Sequence, residues 1–286
     1  MQYSSTILIA AFAATNVLAH GVITEVQGAN GVNLPGLSVA DGTPRDCPTP
    51  GCGAEADTSI IRQNELSTSK ASALGRTNGG GPVSATKMIS TFMDGAAGNS
   101  SSVKAARAIH EAAVARRANL PRAANGGTKT PAGTKETAVK AATGMAAASG
   151  LPTTSDDGTV AMTFHQVNQD GAGPLTAQID ATSGGADASA FQDAQVTQNV
   201  PGIGIGGLSA AQTTDFPVNV QMPAGMTCQG SVGGASNVCI VRLQNSALAG
   251  PFGGSAAFTQ SAAAKKRAIE YNLAKRRFAR ALKSDE

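Results

Sequence analysis

The chain has 286 residues, enough for one large domain with appendages. Charged residues make up 14% and the net charge is +3, much of it in local clusters, so the balance gives no case for a nucleic-acid partner. Beyond residue 19 no apolar run approaches the roughly 20 residues of a membrane-spanning helix, so no transmembrane anchor is expected.

Residues 1–19, MQYSSTILIAAFAATNVLA, hold a short apolar stretch that closes on Val17-Leu18-Ala19. That is the small-x-small ending of a secretory signal peptide, although the positively charged start is missing. Cleavage after Ala19 makes His20 the first residue of the mature chain. An α-amino nitrogen and an imidazole nitrogen on one residue can together chelate a metal ion. The plainer alternative is that His20 merely follows the cut. The four cysteines fall into two near-neighbour pairs, Cys47/Cys52 and Cys228/Cys239, and an even count behind a leader favours disulfides over half a zinc site. Asn99-Ser100-Ser101 is a sequon in a Gly/Ser/Asp stretch, as a surface glycan acceptor requires. Secretion is the expected destination.

From His20 to about Ile61, β-branched runs such as Val22-Ile23-Thr24 alternate with Gly, Asn and Pro turn signals, which reads as strand and loop. Ser102–Ala118 is Ala-rich and basic and predicts a helix. The Gly-, Thr- and Pro-rich segment after it is low in hydrophobic mass and reads as a flexible insertion. Strand character returns in Thr159–Val167, which alternates with period two, and continues in Leu175–Ile179, Phe216–Met222 and Asn237–Leu243. Ala262–Lys283 places Ile269, Leu273 and Phe278 near helical spacing among Lys and Arg. This predicts a basic amphipathic tail that binds an acidic surface or is trimmed at its dibasic sites, or else a solvated helix with no partner. The layout is thus a leader over 1–19, a mainly β antiparallel sandwich over 20–261 with an Ala-rich insertion at about 100–155, and a tail over 262–286.

Three histidines occur: His20, His110 and His165. His165 ends the strand TVAMTFHQV beside the glycine turn NQDGAGP, where an imidazole projects at the sandwich edge. Alone it reads as a strand histidine satisfied by a backbone carbonyl. With His20 it supplies a second imidazole, and three nitrogen donors suit one copper ion in either oxidation state. His110 lies in the basic helix with no patterned carboxylate and reads as a surface residue.

The blocks HGVITEVQGANGVNLPGLSVADGTPRDCPTPGCGAEADTSIIR, TFHQVNQDGAGPLTAQID and NVCIVRLQNSALAGPFGGSAAFTQ resemble the fungal appressorium-associated secreted virulence proteins of the Egh/MAS type. The layout of a mature N-terminal histidine and a second on HQVNQDGAGP is also similar to lytic polysaccharide monooxygenases, copper enzymes on an immunoglobulin-like β-sandwich. That second resemblance implies an axial aromatic, for which Phe252 is the candidate and Phe258 the fallback, and an outer amide from Gln166 or Gln260. It also implies a flat end of the sandwich presenting copper to a polymer.

Three functions follow: a copper oxidoreductase acting on cell-wall polysaccharide, a non-catalytic secreted effector acting on a host surface component, and a structural wall or matrix protein. A monomer is expected in each. Trp is absent and very few Tyr remain to stack on sugar rings, which pulls towards the non-catalytic effector, so copper binding is expected ahead of catalysis. A hydrolase is disfavoured: Asp156, Asp157 and Asp170 form no acid–nucleophile pattern, and no G-x-S-x-G occurs.

Overall fold

A computed structural model describes residues 20–123, 126–204 and 207–284; the leader expected over 1–19 lies outside the described residues. The strands are β1 (Gly21–Gln27), β2 (Asn33–Leu34), β3 (Ser59–Ile60), β4 (Arg76–Thr77), β5 (Gly81–Pro82), β6 (Thr128–Lys129), β7 (Thr159–Gln166), β8 (Thr176–Asp180), β9 (Phe191–Gln198), β10 (Thr214–Gln221), β11 (Gly230–Val232), β12 (Ala235–Gln244) and β13 (Phe252–Phe258). The helices are α1 (Ala85–Met93), α2 (Gly95–Gly98), α3 (Ser101–Ala118), α4 (Ala138–Ala142), α5 (Met145–Ser149) and α6 (Ala262–Ser284).

Alternation decides the central strands. On β7, Val160, Met162 and Phe164 are buried, and on β10 Val220, Val218 and Phe216 lie directly opposite them in register. Opposed apolar side chains on one pleat face form the core side of this pair. The strands hydrogen-bond in the order β2-β1-β7-β10-β9-β8-β12-β13-β3-β4-β5, with β6 added on β10 and β11 on β12. Strand β9 joins the two layers, pairing with β10 through Gln195, Val196 and Gln198 and with β8 through Phe191–Ala194. The sheet curls as a half-barrel until β1 packs against β13. The expected mainly β, antiparallel sandwich is present, its layers continuous through β9.

The main core lies between the layers and includes Ile23, Phe164, Phe216, Ile179, Val241 and Phe258. A second cluster covers the other face of β12 and β13, where Val238, Ile240 and Ala257 meet Ile89 and Phe92 of α1. Covered on both faces, β12 is buried from Val238 to Leu243 without alternation.

Two expectations need correction. The insertion is packed, not loose: Ala142, Ala146 and Leu151 join the second cluster, and Glu136 pairs with the fully buried Arg45. Counting hydrophobic mass missed it because small alanines approach closely, and a buried ion pair together with hydrogen bonds from Val139 and Lys140 to Asp41 ties it to the body. His110 is half-buried, with Nδ1 3.3 Å from the Thr137 hydroxyl, rather than a free surface group. The cysteines form Cys47–Cys52 and Cys228–Cys239, which leaves none for a zinc site.

Candidate functional site

The ladder between β1 and β7 sets the two histidines. Val22 is opposite His165, and the His20 carbonyl accepts the Val167 amide at 2.9 Å, so the pairing runs one residue beyond Gly21. Opposed and alternate residues share a face, so His20 and His165 form a diagonal pair, ordinarily about 7–8 Å apart, turned away from Ile23 and Phe164. Both are buried, with 1% and 0% of their surface exposed.

His165 Nδ1 lies 2.6 Å from Asp215 Oδ1, a cross-strand partner directly opposite it on β10. A carboxylate only accepts, so Nδ1 carries the proton and the neutral ring keeps its lone pair on Nε2. That Nε2 is buried and has no hydrogen-bond partner. Burial pushes the Asp215 carboxyl up, but the hydrogen bond from His165 and the charges of Arg117 and Arg45 together hold it below the usual carboxylate range. Arg117 reaches Asp215 Oδ2 at 3.5 Å from the last turn of α3.

His20 Nδ1 is likewise buried without a hydrogen bond. Glu55 Oε1 is 3.2 Å away, close enough for Coulomb attraction but not aligned as a hydrogen bond. Asn168 ties the two together: its Oδ1 accepts the His20 main-chain N–H at 2.8 Å, and its amide donates to Glu55 Oε1 at 3.1 Å. The loop carrying Asn168 crosses so tightly that a Cβ on Gly171 would sit 1.9 Å from the His20 carbonyl oxygen, so only glycine fits there. Burial raises the Asp170 carboxyl, with its own backbone N–H and His20 opposing. Two residues after Glu55, Asp57 accepts bidentate bonds of 2.9 and 2.6 Å from Arg45, which makes two further bonds to Glu136.

The Phe252 ring stands 4.4 Å from the His20 ring, tilted by 37°. Asn245 holds this end of β13, bonding the Phe252 backbone in both directions and donating to the Asp170 carbonyl. Phe258 lies six residues further along the strand, about 20 Å away, in the main core. Gln260 is beyond it, both ends of its amide spent on the Met226–Cys228 loop. Gln166 stays near the site but faces the other way, its amide donating to Asn168, Ser209 and Ala211. Asn99 is exposed at the end of α2.

The donors suit a transition metal. Two buried imidazole nitrogens without hydrogen-bond partners, beside a main-chain nitrogen and a carboxylate, match the preferences of copper. Among the described residues, no three His, Cys, Asp or Glu side chains converge as a ready-made cage; a site built on two imidazoles and the His20 nitrogen does not require one. The flat, open presentation expected for a polymer is not observed, because the insertion helix and the loop after the first disulfide deliver Arg117 and Glu55 to the histidines and both rings are enclosed. Glu55, Asn168, Asp215 and Asn245 were not anticipated. Only the NQDG run following His165 carried a signal; Asp215 and Glu55 are distant in sequence and arrive through strand register and loop packing.

The Egh16-like virulence factor family model matches residues 18–253. The chain belongs to this family. It is 74% identical over 286 residues to the appressoria-specific virulence factor GAS2 of Pyricularia oryzae, covering 100% of this chain and 99% of that protein. The appressoria-specific virulence factor GAS1 of the same fungus is 44% identical over 103 residues, 36% of this chain and 39% of that one. No solved structure matches. The family match includes His20, His165 and Phe252, and stops short of α6. Among the described residues, no helix is long and apolar enough to cross a membrane.

Proposed function

We propose that the chain is an exported, appressorium-associated virulence factor whose mature form holds one copper ion through His20 and His165 in a closed pocket. The observation that carries this reading is the pair of buried nitrogens without hydrogen-bond partners, His20 Nδ1 and His165 Nε2, on one face of the β1–β7 ladder. With the leader removed, the His20 nitrogen becomes an amine and joins them. Asp215 holds the proton on Nδ1 of His165, Asn168 orients the His20 nitrogen, and Phe252 closes one side with an apolar ring. When bound, copper supplies one-electron redox chemistry with an external reductant. The 74% identity to a protein named as an appressoria-specific virulence factor supports the biological role, and the two disulfides are compatible with export.

Enclosure favours binding over polymer oxidation, since a polysaccharide chain does not reach rings that are 1% and 0% exposed. The second reading, oxidation of cell-wall polysaccharide, is favoured by the Phe252 ring beside His20. Copper titration of protein processed to His20, against protein with one extra residue ahead of it, tests the main reading. The expected result is one equivalent bound, with the extension and His165→Ala each weakening it by about tenfold or more. Equal affinity of the extended and processed forms would overturn it. Oxidised oligosaccharides released by the copper-loaded protein and lost in His165→Ala would establish the second reading instead.

A further inference from the structure

Helix α6 carries a concentration of charge that the histidine site does not use. Of the chain's 22 Lys and Arg, eight fall within 262–286 against three acidic residues, so the remaining 261 residues hold 14 against 16. The tail is strongly basic on a body that is slightly acidic.

Its first turns are anchored. The Ser261 hydroxyl caps the Ala264 amide at 3.1 Å, Ala264 and Ala268 are buried against the body, and Arg267 bonds the Asp156 carbonyl. The Asn272 amide donates to the Gly225 carbonyl at 2.8 Å. From Asn272 to Ser284 the helix runs a further 18 Å or about that, at about 1.5 Å per residue. At about 100° per residue, Ala264, Ala268, Tyr271, Phe278 and Leu282 fall within an arc of about 80°. The stripe that docks at the base therefore continues along the outer turns, where Tyr271 is 49%, Phe278 67% and Leu282 56% exposed. Arg276, Arg277 and Arg280 occupy the opposite side, and no acidic residue lies between Tyr271 and Ser284. Ile269 and Leu273 lie on that opposite side nearer the body and are not part of the stripe.

We propose that the outer turns of α6 dock this protein peripherally on a membrane surface bearing anionic lipid. Charge complementarity selects this occupant. A second copy of the helix would oppose like charges along its length, whereas an acidic polymer would neutralise the arginines and leave Phe278 and Leu282 in water. A lipid interface takes both faces at once: rings and aliphatic groups enter the acyl boundary while Arg and Lys stay with the headgroups. Lys275 falls within the apolar arc, and its stem is long enough to carry the ammonium group out to the headgroups. The helix is too polar to span, so it lies on the surface.

The test is co-sedimentation of the full mature chain with phosphatidylcholine vesicles, with and without phosphatidylserine, at low and high salt. The expected result is binding only with phosphatidylserine, lost at high salt. Arg276→Gln/Arg277→Gln and Phe278→Ser/Leu282→Ser should each lower the partition about tenfold or more. The thermal midpoint should not move, because all four side chains are exposed. Equal binding to neutral vesicles, or none to anionic ones, would overturn the proposal. So would a Phe278→Ser/Leu282→Ser variant that binds like the parent, which indicates bare charge attraction such as an acidic polysaccharide would exert. A lipid-free dimer abolished by that variant would identify a second copy as the occupant and likewise overturn it.

Discussion

Asp215→Asn keeps the shape of the pocket and removes the charge that orients His165. The bond lost is short, at 2.6 Å, and joins a fully buried ring to a carboxylate that is nearly so. A hydrogen bond to a charged group contributes about 1.5–3 kcal/mol, and a carboxylate behind a histidine ligand changes metal affinity by about 10–100-fold. The two ranges coincide, and the burial of this pair places the expected loss of copper affinity in the upper half. Arg117 supports the same carboxylate from 3.5 Å and is 29% exposed, so screening limits its share. Arg117→Ala should then cost no more than about 1 kcal/mol, or about fivefold in affinity. The assay is competition against chelators of graded affinity on protein processed to His20, with the thermal midpoint of the metal-free forms as the folding control. Asp215→Asn binding within about threefold of the parent, or Arg117→Ala weakening binding more than Asp215→Asn, would refute this account of how His165 is held.

Arg45→Met should destabilise the metal-free fold by about 3–5 kcal/mol in urea unfolding, because it leaves the Asp57 and Glu136 carboxylates buried without their shared cation. Gly171→Ala forces a Cβ into the His20 carbonyl, a backbone atom that cannot swing aside, and should cost about 3 kcal/mol by the same measurement. Asp180 is buried, and although burial pushes its carboxyl up, bonds from the Ser183 hydroxyl and the Thr182, Ser183 and Gly185 amides hold it below the usual carboxylate range. A depressed folded value means that its stabilisation is complete above the unfolded carboxylate range, near pH 4, and disappears as pH falls through the folded value. Urea unfolding between neutral pH and about pH 2 should therefore show the gap between parent and Asp180→Asn closing only on the acid side; a gap independent of pH would remove Asp180 from the acid response.

The strands that build the site were readable because their alternation is local. Thr159–Val167 and Phe216–Met222 each place every second side chain in the core, and the observed β7 and β10 follow that pattern. Phe252 was identified as a candidate partner and lies beside His20, yet the spacing of so few aromatics did not predict that Asn245 would hold it there. Asp215 stands 50 residues from His165, in a strand where one polar residue looks like any other. Its role exists only once β10 is set in register against β7. The insertion hides its packing for a related reason: its alanines, and the Glu136 carboxylate that meets Arg45, look soluble one by one and become interior only when brought together.

What the sequence determined by itself is chemical and local: a small-x-small ending just ahead of His20, a second histidine at a strand end, paired cysteines and a basic tail. Tertiary structure alone decided that the two histidines are enclosed rather than presented, and which carboxylates and amides surround them. The physical reason is that the period of a strand dictates the face a side chain takes. What covers that face depends on chain segments whose separation in sequence carries no periodic signal.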